Sequence, residues 1–200
     1  MMVRSDMFWP VTAFESLTTP HPAKLLVDDF LLLDRAGAFG DYAKTELIDG
    51  TIYVVNAQYS AHMKAKVRML RRLADACDQL AVGLEAWSEG AVLIGPSSMP
   101  EPDIFVATAI PQDGPVPCEN VVLAIEISDS TQAFDLGKKA KLYAKAGIPE
   151  YWVVDLKARV IYRRWSPGSK GYGEESTVGF GQRIESASIA GLGVDTEGLD

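Results

Sequence analysis

The sequence predicts an α/β (α+β) fold in which a mixed β-sheet is flanked by helices. Segments with helical spacing of apolar residues alternate with strand-like runs along the chain. The dipeptide Asp49-Gly50 separates two apolar runs and predicts a tight hairpin turn, because both of its residues tolerate positive φ. The apolar run 121–127 is followed by a lysine-rich helical segment, and this order of elements is typical of a sheet covered by helices.

The first 80 residues predict an arm, two helices and one hairpin. Residues 1–20 are rich in Pro, Thr and Ser and are expected to form an N-terminal arm. Apolar spacing predicts a helix over 23–38, which ends near two glycines, and the hairpin then spans 46–55. Ser60 is expected to cap a second helix that runs to about Leu80. The expected buried stripe of this helix is Val67, Leu70, Leu73, Ala74, Cys77 and Leu80.

The rest of the chain predicts mainly strands. They are expected at 82–87, 91–95, 103–107, 121–127, 151–155 and 159–165, and the last two form a hairpin. Loops are expected over 95–102 and 111–120, where prolines cluster. A helix over 135–146 is closed by Gly147 and Pro149. We therefore expect one folded domain over 21–190 and an acidic C-terminal tail over 191–200.

Composition narrows the class of protein. The chain has 200 residues, of which 48% are apolar, so it suits a single domain with a real core. Its net charge of -8 does not favour a protein that binds DNA phosphates through a basic face. Cys77 and Cys118 share no metal-ligand spacing and are interpreted as reduced thiols. With no signal-peptide pattern and no apolar run of membrane-spanning length, we expect a cytoplasmic protein.

Two acidic residues lie in or beside apolar strands. If strands 103–107 and 121–127 pair as an antiparallel hairpin centred on Gly114-Pro115, then Asp103 and Glu126 face each other, about 5 Å apart at Cβ. Buried like charges at that distance repel unless a cation compensates them. Mg²⁺ suits one or two carboxylates together with water and phosphate. The pattern therefore predicts a divalent-cation site, although the long loop leaves this register open.

A lysine on the next helix completes the predicted site. Asp135, Lys139 and Tyr143 are spaced by four residues and share one helical face. The helix follows strand 121–127 directly, so its first turns can return over Glu126. A lysine there could stabilise charge that develops on a phosphoryl oxygen or hold the attacking water.

Several of these segments occur together in a recognisable order. They are Glu46-Leu-Ile-Asp-Gly50, Pro102-Asp103, Ile125 to Thr131, Asp135 with Lys139 and Tyr143, and Gly147 to Asp155. Over roughly residues 25–165 the chain resembles the Uma-two family of restriction endonucleases, within the PD-(D/E)XK nuclease superfamily. The resemblance implies a restriction-endonuclease-like core and Mg²⁺-dependent hydrolysis of phosphodiester bonds in DNA, with Mn²⁺ as a substitute.

The resemblance also implies roles for individual residues. Asp103 and Glu126 would be metal ligands, and Glu46 matches an acidic residue ahead of the first hairpin that completes the site. The superfamily places its lysine two residues after the second acid, where this chain has Ser128. Lys139 fits the position of a lysine that has moved to the following helix.

Simpler interpretations stay open for these residues. Glu126 could be a structural acid paired with Lys139, Asp103 could only begin a strand after Pro102, and Glu46 could be exposed. Lys139 could belong to the solvated helix face of its neighbouring lysines, at 138, 141 and 145.

Other polar and aromatic residues have ordinary explanations. Thr131 and Asp135 are most simply helix caps, and Tyr143 is expected in the core with its hydroxyl hydrogen-bonded. His62 is more simply a surface or capping residue than a catalytic base. The remaining expectations are a solvated face for Arg68, Arg71 and Arg72, and a packing role for Tyr151 and Trp152.

Three functions are compatible with these residues. The leading one is a metal-dependent endonuclease whose partner is DNA, and a homodimer is expected because cutting both strands is simplest with two sites. The alternative is a catalytically inactive nuclease-fold module that binds DNA or protein, which the net charge and Ser128 favour. A hydrolase of another phosphate ester would need the same ligands.

Overall fold

A computed structural model describes residues 22–55 and 60–199. The predicted N-terminal arm, 1–20, lies outside the described residues. In chain order the helices and strands are α1 (Val27–Arg35), β1 (Lys44–Ile48), β2 (Thr51–Val55), α2 (Ser60–Leu80), β3 (Glu85–Ser88), β4 (Val92–Leu93), β5 (Ile104–Ala107), β6 (Val116–Pro117), β7 (Val121–Ser128), α3 (Gln132–Phe134), α4 (Ala140–Lys145), β8 (Glu150–Asp155), β9 (Val160–Gly168), β10 (Gly171–Gly179), β11 (Arg183–Glu185) and β12 (Gly193–Asp195). A π-helical turn (Asp135–Lys139) joins α3 to α4, and a 3-10 turn (Cys118–Asn120) precedes β7.

A six-stranded mixed sheet lies at the centre, with the strand order β10-β9-β8-β7-β5-β3. β7 and β8 are parallel, and the other neighbours are antiparallel. Helices cover both faces: α2 packs Met69 and Leu73 on one side, and α4 packs Tyr143 on the other. Burial on both faces explains why β7 and β8 are almost entirely apolar. The predicted fold class is confirmed.

The hairpin of β1 and β2 is confirmed, and it determines where α1 begins. Ile48 pairs with Thr51, and the turn residues Asp49 and Gly50 have φ values of 50° and 71°. Leu25 donates its N–H to Gly50 O at 3.0 Å, which holds the residues before α1 extended along this turn. The predicted helix over 23–38 is therefore too long at its N-terminus, and it ends at Arg35 because Gly37 has positive φ.

Helix α2 has the predicted bounds, but its predicted stripe is partly wrong. Leu73 and Cys77 are buried as expected, whereas Val67 is 53% exposed. At about 100° per residue, Val67 lies roughly 120° around the helix from Leu73. His62 and Met69 occupy the buried face instead.

The segment predicted as an acidic tail packs against the domain. β12 pairs with β11, and the core includes Leu192, Val194 and Leu199. Arg72 donates from both Nη atoms to the carbonyl oxygens of Asp195 and Glu197, at 2.8 and 2.6 Å. Arg68 likewise donates to Gly198 O. These arginines, predicted to form a solvated face, therefore bind the C-terminal backbone through their guanidinium groups.

None of the helices in the two described ranges is long and apolar enough to cross a membrane.

Candidate active site

Asp103 and Glu126 lie opposite each other on neighbouring strands. β5 and β7 pair antiparallel with Ile104 opposite Ile125. Extending this register by one residue sets Asp103, which directly precedes β5, opposite Glu126. Each residue is only 3% exposed. The register obtained by counting across the loop is confirmed. Both side chains therefore lie on the face of the sheet that α4 covers, and both line the same cavity.

Lys139 joins two of the predicted acids. Its Nζ lies 2.9 Å from Glu126 Oε1 and 3.0 Å from both carboxylate oxygens of Glu46. Tyr143 donates its hydroxyl to Glu126 Oε1 at 3.0 Å. Glu46 is 1% exposed and also accepts the N–H of Glu101, so the interpretation of Glu46 as an exposed strand residue is wrong. Lys139 is buried and does not belong to a solvated face.

The chain after β7 carries Lys139 back over the sheet. Thr131 is the N-cap residue of α3, but its side chain makes no capping hydrogen bond and donates instead to Asp135 Oδ2 at 2.6 Å. Asp135 lies in the π-helical turn and is buried, so its interpretation as a helix cap is wrong. The side chains at 135, 139 and 143 are all buried, as their predicted common face requires. Ser128 is buried too, with its hydroxyl oxygen 3.4 Å from Thr131 Oγ1.

Asp103 is held by groups from three other elements. The N–H of Ile127 donates to Asp103 Oδ2 at 2.8 Å, and His62 Nε2 lies 3.2 Å from the same oxygen. Lys44 Nζ lies 3.9 Å from Asp103 Oδ1 and also donates to Glu101 O. His62 is only 8% exposed, so the simpler interpretation as a surface or capping residue is wrong. A single histidine at a helix start gives no sign of burial in the sequence.

Lys44 lines the cavity and lies beside Asp103, although the sequence pattern did not single it out. Its position in the cavity could have been inferred from Glu46. Lys44 precedes Glu46 by two residues on the same strand and therefore points to the same face. For His62 no comparable signal exists, since its contact with Asp103 joins residues 41 positions apart.

The environment shifts the pKa values of the three central groups. Burial raises the pKa of Glu126 to about 8; the charge of Lys139 opposes this shift, and the charge of Asp103 adds to it. Burial also tends to raise the pKa of Asp103, but the hydrogen bond from His62 and the charge of Lys44 bring it well below its usual range. For Lys139, burial favours the neutral amine, yet the charges of Glu126 and Glu46 raise its pKa and keep the ammonium form.

A cavity of about 370 Å³ opens over these groups. Among the described residues that line it are two lysines and five acids, the acids being Glu46, Asp103, Glu126, Asp129 and Asp135. This excess of carboxyl groups is chemically suited to a hard divalent cation, which prefers oxygen ligands. Within residues 22–55 and 60–199 no group of three or more His, Cys, Asp or Glu side chains could hold a metal ion. A cation held by Asp103 and Glu126 would therefore complete its ligands with water and substrate oxygens, as Mg²⁺ commonly does.

A mixed sheet that carries opposed acids on two antiparallel strands, with a lysine from the following helix, defines a restriction-endonuclease-like nuclease fold. The chain belongs to the Uma-two family, described as putative restriction endonuclease, whose model matches residues 27–197. A structure with a similar fold is the crystal structure of a putative nuclease belonging to DUF820 from Anabaena variabilis. The TM-score is 0.63 at 18% identity, over 82% of this chain and 90% of that one. None of the curated proteins matches the sequence significantly.

Proposed function

We propose that this protein is a Mg²⁺-dependent endodeoxyribonuclease that hydrolyses phosphodiester bonds in DNA, with Mn²⁺ as a substitute cation. The observation that carries the proposal is the opposed pair Asp103 and Glu126, buried in a cavity where acids outnumber lysines. Membership of the Uma-two family supports it, because the family is described as putative restriction endonuclease.

Each of the four predicted residues has a role in this proposal. Asp103 and Glu126 would hold the cation. When bound, a divalent cation lowers the pKa of a coordinated water and offsets the negative charge of the scissile phosphate. Lys139 would donate a hydrogen bond to the phosphoryl oxygen that gains charge in the transition state. Glu46 would hold the ammonium group of Lys139 in place, which its 3.0 Å contact supports. Lys44 adds a second positive charge that favours the approach of an anionic phosphate.

The test is a cleavage assay on supercoiled plasmid and on single-stranded DNA, with Mg²⁺, Mn²⁺ or EDTA. The substitutions Asp103→Asn and Glu126→Gln keep the side-chain shape and remove the charge. They should each lower the cleavage rate by about 100-fold or more, because a catalytic cation is worth several kcal/mol and 1.36 kcal/mol corresponds to tenfold in rate. The control for removal of a charge is Lys141→Met, since Lys141 is exposed on α4 and is not among the residues that line the cavity.

Cleavage that is absent under every condition, or equal in wild type and Asp103→Asn, would refute the proposal. A panel of small phosphate esters separates a nuclease from another phosphoesterase with the same ligands. Sedimentation with and without DNA tests the predicted homodimer. The cytoplasmic location stays a prediction.

The alternative is a nuclease fold that has lost its activity and binds DNA or protein. It is favoured by Ser128, which occupies the usual lysine position, and by the engagement of Lys139 with two carboxylates. An inactive module would bind no Mn²⁺ and would retain its DNA or protein partner after Glu126→Gln. An active site would bind Mn²⁺ and lose that binding in the same variant.

A further inference from the structure

His62 contacts the candidate metal site from outside the predicted set of residues. It lies in the first turn of α2, lines the cavity and is 8% exposed. Its Nε2 atom lies 3.2 Å from Asp103 Oδ2. The histidine therefore touches one of the two acids proposed to hold the cation.

Two donors converge on the same oxygen of Asp103. The backbone N–H of Ile127 reaches Oδ2 along the sheet, at 2.8 Å, and the imidazole of His62 reaches it from the helix at 3.2 Å. Lys44 lies on the other side of the carboxyl group, 3.9 Å from Oδ1, and so replaces neither donor at Oδ2. Two donors from different elements fix the plane of the carboxyl group and hence the direction of its other oxygen.

The second nitrogen of the ring supports a positioning role over a purely structural one. A carboxylate only accepts, so His62 donates through Nε2. Nδ1 is buried and has no hydrogen-bond partner in the part of the chain that the structure describes. A buried polar atom without a partner lowers the free energy of unfolding. The hydrogen bond that the position of His62 satisfies is therefore the Nε2 contact with Asp103.

We infer that His62 is a positioning residue that orients Asp103 toward the divalent cation. This inference rests on the proposed function, because it requires a cation at Asp103. It assigns to His62 no contact with the substrate and no proton transfer. Hydrogen-bond partners of metal-binding side chains typically change metal affinity by 10–100-fold when they are removed.

Two polar substitutions of similar size test the role of the Nε2 atom. His62→Gln places an amide nitrogen near the position of Nε2 and keeps a donor to Asp103. His62→Asn places its amide nitrogen near the position of Nδ1 and loses that donor. The dissociation constant for Mn²⁺ is measured by electron paramagnetic resonance on the purified full-length chain without DNA. Thermal unfolding in EDTA shows that each variant is folded.

We expect His62→Asn to weaken Mn²⁺ binding by about 10–100-fold and His62→Gln to stay within about threefold of wild type. Equal affinities for wild type and His62→Asn would overturn the inference and leave the proposed function standing. A folded His62→Gln that binds as weakly as His62→Asn would also overturn it. A wild-type chain that binds no Mn²⁺ would overturn both the proposed function and this inference.

Discussion

Replacing Lys139 by methionine removes the only ammonium group that lies within 3.0 Å of both Glu46 and Glu126 among the described residues. Both acids are at most 3% exposed, so loss of the lysine leaves them poorly hydrated and without their cationic partner. Methionine has a similar length and no charge, and the substitution therefore isolates the electrostatic part of the contact.

The expected loss comes from the acid that is left without its partner. Because the pKa of Glu126 is already raised to about 8, this residue is largely neutral at pH 7 and loses little when the lysine is removed. Glu46 loses its cationic partner, and removing one partner of a buried ion pair costs about 3–5 kcal/mol. For a chain of this size, that loss corresponds to a decrease in melting temperature of about 6–20 °C.

The assay is urea and thermal unfolding in EDTA at pH 7 and at pH 5. An unpaired carboxylate is neutralised at a lower free-energy cost at pH 5 than at pH 7, so the deficit of Lys139→Met should shrink at pH 5. Adding Glu46→Gln should restore part of the stability, because it removes the unpaired charge. Lys141→Met is the control and should change stability by less than about 0.5 kcal/mol. A melting temperature within about 2 °C of wild type, or a deficit that is equal at both pH values, would refute this reasoning.

Three further predictions concern pH and stability. Burial raises the pKa of Glu126 to about 8, so its contribution to stability is fully present below pH 4.5 and is lost as the pH rises toward 8. In urea unfolding with EDTA, the free energy of unfolding of wild type relative to Glu126→Gln should therefore fall over this range. A difference that stays constant with pH would contradict the shift. Glu150→Ala removes a buried carboxylate that accepts four hydrogen bonds, so the free energy of unfolding should fall by about 3 kcal/mol or more while Mn²⁺ affinity is unchanged. Gly50→Ala should cost about 1–3 kcal/mol, because φ is 71° and a Cβ would lie 2.8 Å from Lys24 Cβ; the loss in unfolding experiments should exceed that of Gly83→Ala, where φ is also positive but the space is open.

The parts of the site that follow local rules could be predicted from the sequence. The Asp49-Gly50 turn determines the hairpin, and the proline-rich loop between β5 and β7 is long enough for the two strands to pair antiparallel. Counting across that loop placed Asp103 opposite Glu126, which is the register found. In these cases the position of the side chain follows from the register of two strands and from the alternation of side chains between the two faces of the sheet.

The contacts that depend on packing could not be predicted. Lys44 reaches the cavity because the β1–β2 hairpin brings it beside Asp103 and Glu101, and His62 reaches it because α2 begins beside Asp103. Glu46 was expected in the site only from the family resemblance, and its contact with Lys139 joins residues 93 positions apart. Glu150 is a buried acid that lies outside the cavity, and its role also depends on packing. It is as deeply buried as Glu126, yet its donors are Trp152 Nε1, the Ser186 hydroxyl and two backbone N–H groups, 187 and 188. The sequence does not distinguish this structural acid from the acid in the cavity.

The π-helical turn between α3 and α4 determines the rotational phase of the helix over the sheet. In an uninterrupted α-helix, Asp135 and Tyr143 would point about 80° apart, since eight residues turn through about 800°. One extra residue in the turn takes back about 100° and leaves a difference of about 20°, which agrees with the burial of both side chains. A related chain with a regular α-helix here would reach the same phase with one residue fewer, and its alignment with this chain would need a gap of one position within the turn. Without that gap, the lysine of such a chain would be matched to the half-buried neighbour Lys138 and not to Lys139.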